Sequence, residues 1–160
     1  MKLSEVNKFV AETASETIDS QISEMVWKIK RLAENREDLV ERMKFNGPYS
    51  FNTAGIQATG VYFVVHKDTK EVAYVGQGKV NGRISRIKSV MRNGGRTIIS
   101  ASGAASGHQG ATKMYQIDPK LSNWEYYEMT CDKDTAVRLE AKLHGLLSPS
   151  CSTEHMVGVN

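Results

Sequence analysis

Cysteine is scarce in this 160-residue chain: only Cys131 and Cys151 are present. They form no CxxC and have no histidine pair at finger spacing, which argues against a sulfur-rich zinc module and leaves two free intracellular thiols. The four histidines (His66, His108, His144, His155) are scattered and make no HExxH. No apolar run approaches the ~18 residues of a membrane span. The opening MKLSEVNKFVAETASETIDS is too acidic and polar for a secretory signal, so a cytoplasmic protein is expected. Internal repeats are missing too. With 40% hydrophobic and 24% charged residues, the composition is that of an ordinary globular chain with room for one modest core.

Acids are missing from one stretch in particular. Net charge is only +3, but it is unevenly spread. Residues 1–45 carry eight Lys/Arg against nine Asp/Glu, and residues 101–160 carry five against seven. Residues 62–100 carry eight against two. Within that region Lys79, Arg83, Arg86, Lys88, Arg92 and Arg96 follow one another with no acid between them. Such a cluster suits a polyanion, because neutralising phosphates releases counterions. The plainer alternative is a solvated basic helix.

Periodicity organises the rest. Ile18, Ile22, Met25, Ile29, Leu32, Leu39 and Met43, with Arg36 the only polar member of the series, recur at alternating steps of four and three, which predicts a long helix over 15–45. That seam either pairs with a second copy of the chain or packs on its own domain, since Val26, Ala33 and Val40 widen the stripe. Asn46-Gly47-Pro48 ends it, and 49–59 reads as a polar linker. Residues 1–48 thus form an N-terminal helical extension, which either dimerises or contacts DNA.

A β-branched and aromatic run, 60–66, and a second, 71–76, predict a hairpin. Asn81 is expected to cap a helix running to Asn93, where Gly94-Gly95 stops it. Residues 100–111, rich in Gly, Ser and Ala, read as a mobile loop. A short helix near 111–117, a strand over 123–131 and a helix over 134–147 capped by Asp132 or Asp134 complete the chain. The fold class is mixed α/β (α+β): a small, mostly antiparallel three-stranded sheet flanked by helices.

Glu140 has an unusual position. Wound at about 100° per residue, Ala136, Leu139, Leu143, Leu146 and Leu147 share one arc, and Glu140 falls inside it near His144. A carboxylate aimed at a core needs a partner, either an arginine or a metal ion.

Gly60-Val61-Tyr62 followed by Tyr74-Val75-Gly76 resembles the GIY-YIG nuclease signature, with valine for isoleucine in both halves. Three features follow in that family's order. Gly76-Gln77-Gly78-Lys79 leads to Arg83, the match to the family's helix-start arginine, with Arg86 in reserve. Glu140 matches its single metal-binding glutamate. The stretch from Glu140 to Pro149 is similar in spacing to the nuclease domain of bacterial excision-repair enzymes. Two positions depart: Ser152 stands where those enzymes have asparagine, and Ile87 where many members have His or Tyr.

The resemblance covers about 60–152. It implies a nuclease domain there and a small, free-standing DNA endonuclease of the restriction or phage kind. In it Tyr62, Tyr74, Arg83 and Glu140 would be catalytic, and Glu140 would hold Mg²⁺ or Mn²⁺. Gly76, Lys79, Arg86, Lys88, Arg92 and Arg96 would meet DNA, with His144 and Ser152 in supporting roles. The alternatives from other classes are a non-catalytic nucleic-acid-binding module and an assembly protein working through the 15–45 helix. One structural expectation can be checked: both phenols must face one way, which requires an odd-length hairpin loop, Lys67-Asp68-Thr69, or a bulge.

Overall fold

The computed structural model describes residues 2–24 and 44–151, with side chains described for 2–18 and 44–151. Helix α1 (Leu3–Glu24) precedes strands β1 (Asn46–Ser50), β2 (Thr59–His66) and β3 (Val72–Lys79). Helix α2 (Val80–Arg92) follows, then a short ribbon of β4 (Ile98–Ile99) and β5 (Ala105–Ser106). Helix α3 (Gln109–Ile117), a single 3₁₀ turn (Leu121–Asn123), β6 (Trp124–Thr130) and α4 (Lys133–Leu147) complete the chain. The main sheet has the order β1-β6-β2-β3, with every neighbouring pair antiparallel. The three expected strands are its β2, β3 and β6. The fourth, β1, comes from a stretch read as a helix stop and linker, where the backbone of residues 46–50 pairs along β6.

Helices cover both faces because the central strands bury side chains on both sides. On one face, α2 and α3 pack Ile84, Ile87, Met91 and Met114 against Tyr62, Val64 and Tyr126. On the other, α1 and α4 pack Val6, Val10, Leu139 and Leu143 against Val61, Phe63, Val75 and Met129. Each fully buried side chain of this size contributes about 1.5–3 kcal/mol over its exposed state. Strand β2 therefore reads as a continuous apolar run rather than an alternation.

Helix α1 begins at Leu3, earlier than the heptad seam predicts. Its buried side is Val6, Val10, Thr13, Ala14, Thr17 and Ile18. This stripe at helical spacing packs on the chain's own α4, and Lys142 reaches Glu16 at 3.0 Å. Of the seam residues, Ile18 is buried here, whereas Met25 to Met43 lie outside the described residues. Three further local readings change. Helix α2 starts at Val80 with Lys79 as its N-cap, because Val80 and Asn81 donate their N–H groups to the carbonyls of Ala58 and Ile56. Residues 100–111 are not wholly loop: they contain β5 and the first residues of α3. Asp132, not Asp134, caps α4, accepting from the Thr135 N–H at 3.2 Å.

The hairpin geometry sets up everything that follows. The turn spans four residues, 67–70, closed by His66 N–H to Glu71 O at 3.0 Å and Lys70 N–H to His66 O at 2.9 Å. A regular four-residue turn would send Tyr62 and Tyr74 to opposite faces. A bulge restores the parity: Val64 opposes Tyr74 while Val65 opposes Val72, leaving Ala73 as the extra residue. The phenols therefore share a face, as expected. They are not directly opposite, however, since Tyr62 lies across from Gly76. The turn is held by His66, whose Nδ1 accepts from the Asp68 and Thr69 N–H groups and whose Nε2 meets Asp118 at 2.8 Å. That contact and a bond from Asn123 hold the Asp118 carboxyl down at about 2.

Candidate active site

The site forms at the edge of the sheet, on β3, because of what its glycines lack. Tyr62 is 1% exposed and its ring must lie somewhere on a packed surface. It lies over Gly76: a Cβ there would sit 2.5 Å from both Cζ and Oη of the phenol. With no side chain in the way, the Tyr62 hydroxyl crosses β3 toward the edge and meets Tyr74. The two ring centroids are 6.1 Å apart with planes inclined by 30°. Gly60, the first glycine of the motif, has a different reason: a Cβ there would fall 1.9 Å from the Met129 carbonyl oxygen of β6. Both glycines thus serve packing, which is why the motif carries them.

Arg83 arrives from the first turn of α2. Its guanidinium lies along Gly78, whose φ of +123° favours glycine and whose missing Cβ would stand 3.3 Å from Arg83 Nε. Glu140 arrives from α4, on the other face of the sheet, around the same edge. Its side chain is 19% exposed. His144 Nε2 lies 3.3 Å from its Oε1.

Electrostatics tie the four together. Burial pushes the Tyr62 phenol well above its ordinary value; Tyr74 and Glu140 push the same way and Arg83 opposes them. Tyr74 is raised by burial and by Glu140, and lowered by Arg83. The two hydroxyls also act on each other, raising Tyr62 and lowering Tyr74. Tyr74 is the less buried of the two and so the phenol better placed to meet solvent and substrate.

The basic cluster divides. Arg83 and Arg86 are exposed and turn toward the phenols and His108. Lys88 instead lines a cleft of about 290 Å³ with Asn52, Thr53, Gly55, Asn81 and Ser85. Arg92 reaches Asn52 Oδ1 at 3.4 Å. Arg96 folds back to donate to the Asn93 carbonyl at 3.3 Å. Lys79 is exposed at the junction of β3 and α2. Ile87 is fully buried in the core. Ser152 lies outside the described residues.

Two residues escaped the sequence reading. Glu128 opposes Tyr62 across β2 and β6, is 5% exposed, and accepts the Ile56 N–H at 2.9 Å. With Tyr126, whose hydroxyl donates to the Thr53 carbonyl at 3.0 Å, it holds the 51–58 loop against the start of α2. Burial raises its carboxyl. No spacing betrays it, because a glutamate in an alternating strand reads as solvent-facing. The other is His108. Its ring meets Tyr74 edge-on, centroids 4.8 Å apart. Burial, and then the charges of Arg83 and Arg86, lower it to about 4.

That depression has a measurable consequence. Between about pH 6.5 and 4 the unfolded chain binds a proton at this ring that the folded chain refuses. Stability tied to His108 is therefore complete above pH 6.5 and is lost as pH falls toward 4. Glu128, raised rather than lowered, works in the opposite sense, so the comparison that isolates His108 is wild type against His108→Asn. Denaturant melts across this window are expected to show the wild type losing stability more steeply than the variant. Equal slopes would show that neither burial nor the two arginines hold this ring below its ordinary value.

Chemically, the edge offers two neighbouring phenols, a guanidinium and a carboxylate that act on one another. Among the described residues no group of three His, Cys, Asp or Glu side chains comes together. A cation here would take one carboxylate and fill its other positions with water and substrate oxygens, which suits Mg²⁺ or Mn²⁺ rather than zinc. Among the described residues no helix is long and apolar enough to cross a membrane. Comparison with protein-family models, curated proteins and solved structures finds no match to this chain.

Proposed function

We propose that this chain is a divalent-metal-dependent endonuclease of the GIY-YIG type, hydrolysing DNA phosphodiester bonds. One observation carries the reading. Four side chains from three segments spread over about eighty residues, Tyr62 and Tyr74, Arg83, and Glu140, act on one another electrostatically at a single sheet edge. Structural packing alone does not require a phenol pair, a guanidinium and a carboxylate to share one spot.

Glu140 would hold the Mg²⁺ or Mn²⁺, and His144 fixes the carboxylate's orientation through Oε1. When bound, the cation would polarise the phosphoryl oxygens and lower the pKa of a coordinated water. The chain's own groups do the rest. Arg83 forks onto non-bridging phosphate oxygens as charge builds there. Tyr74 orients the attacking water through its hydroxyl, the water's proton passing to solvent and the departing oxygen taking one from it. This gives Tyr62 a supporting role, since a phenol only 1% exposed does not reach solvent. Arg86 and Lys79 meet the flanking backbone, with Lys88 and Arg92 one helix face away, so DNA would lie along α2. The proposed place of work is the cytoplasm.

The buried Ile87 favours a second reading, a DNA-binding module without turnover. A supercoiled-plasmid assay separates them. The nuclease reading expects nicking with Mg²⁺, none with EDTA, and a loss of about 10²–10³-fold in Arg83→Ala, the scale for removing one transition-state donor. Retarded plasmid that is never nicked, in Mg²⁺ or Mn²⁺ over a range of sequences, would leave only the binding module.

A further inference from the structure

His108 lies outside every sequence motif yet faces the site, and its hydrogen bonding fixes what it can do. It is the N-cap of α3, and its Nδ1 accepts the Ala111 N–H at 3.0 Å. A nitrogen that accepts carries no proton, so the neutral ring holds its hydrogen on Nε2. Among the described residues no hydrogen bond occupies that Nε2–H. Its setting is also constrained. Gly110 lets α3 close on the phenol, for a Cβ there would stand 2.6 Å from Tyr74 Cδ2 and 3.0 Å from His108 Cε1. The ring thus stands edge-on to Tyr74 and within the field of Arg83 and Arg86. Two guanidinium charges acting on a neutral donor of fixed tautomer make a surround suited to an anion.

We propose that His108 is a phosphate-contacting residue of this site, donating its Nε2–H to a non-bridging oxygen of the DNA backbone held by Arg83 and Arg86. This rests on the nuclease reading for its substrate, but not for its test. The capping role predicts a different outcome, and asparagine distinguishes them. Its side-chain oxygen replaces Nδ1 as a cap, since Asn is among the best N-cap residues. It offers nothing at the Nε2 position.

The first measurement uses the full chain in EDTA, where cleavage plays no part. Long-range ¹H–¹⁵N spectra of the imidazole are recorded while a short DNA duplex is added. The expected result is a shift of the His108 Nε2 signal with Nδ1 nearly unmoved. A bound duplex that moves neither nitrogen overturns the proposal and leaves the nuclease reading intact. The second compares variants in Mg²⁺. His108→Asn is expected to melt within a few degrees of wild type and to cleave about 10- to 100-fold more slowly, the range for a hydrogen bond to a charged group. Wild-type cleavage by His108→Asn, with loss confined to His108→Ala, would reduce the residue to a helix cap. A wild type that binds but does not cleave, with Nε2 shifted, sinks the nuclease reading and supports this contact.

Discussion

Replacing Glu140 with glutamine is expected to lower cleavage by about a thousandfold or more, with the fold intact. Glutamine keeps the size, and its carbonyl oxygen still accepts from His144, which stands 3.3 Å away. The side chain is partly exposed and lies at a sheet edge, so little packing is lost. What disappears is the negative charge. Among the described residues no group of three His, Cys, Asp or Glu side chains stands ready to replace it. The loss of a metal's several kcal/mol of charge stabilisation corresponds to about 10³-fold or more in rate. Thermal melts should coincide within about 1 kcal/mol, as for most substitutions away from a core. An unchanged melt with unchanged cleavage would show that the cation is held elsewhere.

The second large effect comes from an apolar position. Gly76→Ala is expected to cost about 1–3 kcal/mol of stability, the usual range for overpacking a core. The added methyl would stand 2.5 Å from Tyr62 Cζ and Oη, and that ring is wedged among buried neighbours on the α2–α3 face. Either the strand or the phenol moves. A displacement of about 1 Å at the hydroxyl is enough to lower the rate by about 10²-fold. Gly82→Ala is the control, because that glycine is exposed in α2 with nothing within 4 Å of the added methyl. There alanine should be neutral or stabilise the helix by up to about 1 kcal/mol. Equal behaviour of the two variants would mean that Gly76 does not seat the Tyr62 ring.

These cases show what could be read in advance. The strands β2, β3 and β6 and helices α2 and α4 were legible because apolar runs and helical spacing are local signals. Four polar positions of the site came from motif order, and the structure brings all four to one edge. The shared face of the phenols was legible as a demand, and a bulge as one way to meet it, though its position at Ala73 was not. Bulges depend on how a turn and a neighbouring strand compete for the same backbone groups.

Strand β1 was hidden because Asn46-Gly47-Pro48 carries helix-stop residues, and its pairing with β6 is a long-range event. Glu128 and His108 were hidden for the same kind of reason. Each owes its role to a partner distant in sequence, Ile56 in one case and Tyr74 with Arg83 in the other. Glu140 was legible as a carboxylate on the inward arc that needs a partner, and it is only 19% exposed beside the buried His144. The helical wheel could not show that the neighbouring sheet ends there.

The central proposal is that Glu140 would hold a divalent cation near the two phenols. Paramagnetic Mn²⁺ tests it without reference to catalysis. Added to the DNA-free chain, it should selectively broaden the ring signals of Tyr74 and Tyr62, spare those of Tyr115 and Tyr127, and do neither in Glu140→Gln. Broadening that survives in Glu140→Gln, or that spares both Tyr62 and Tyr74 at saturating Mn²⁺, would contradict it.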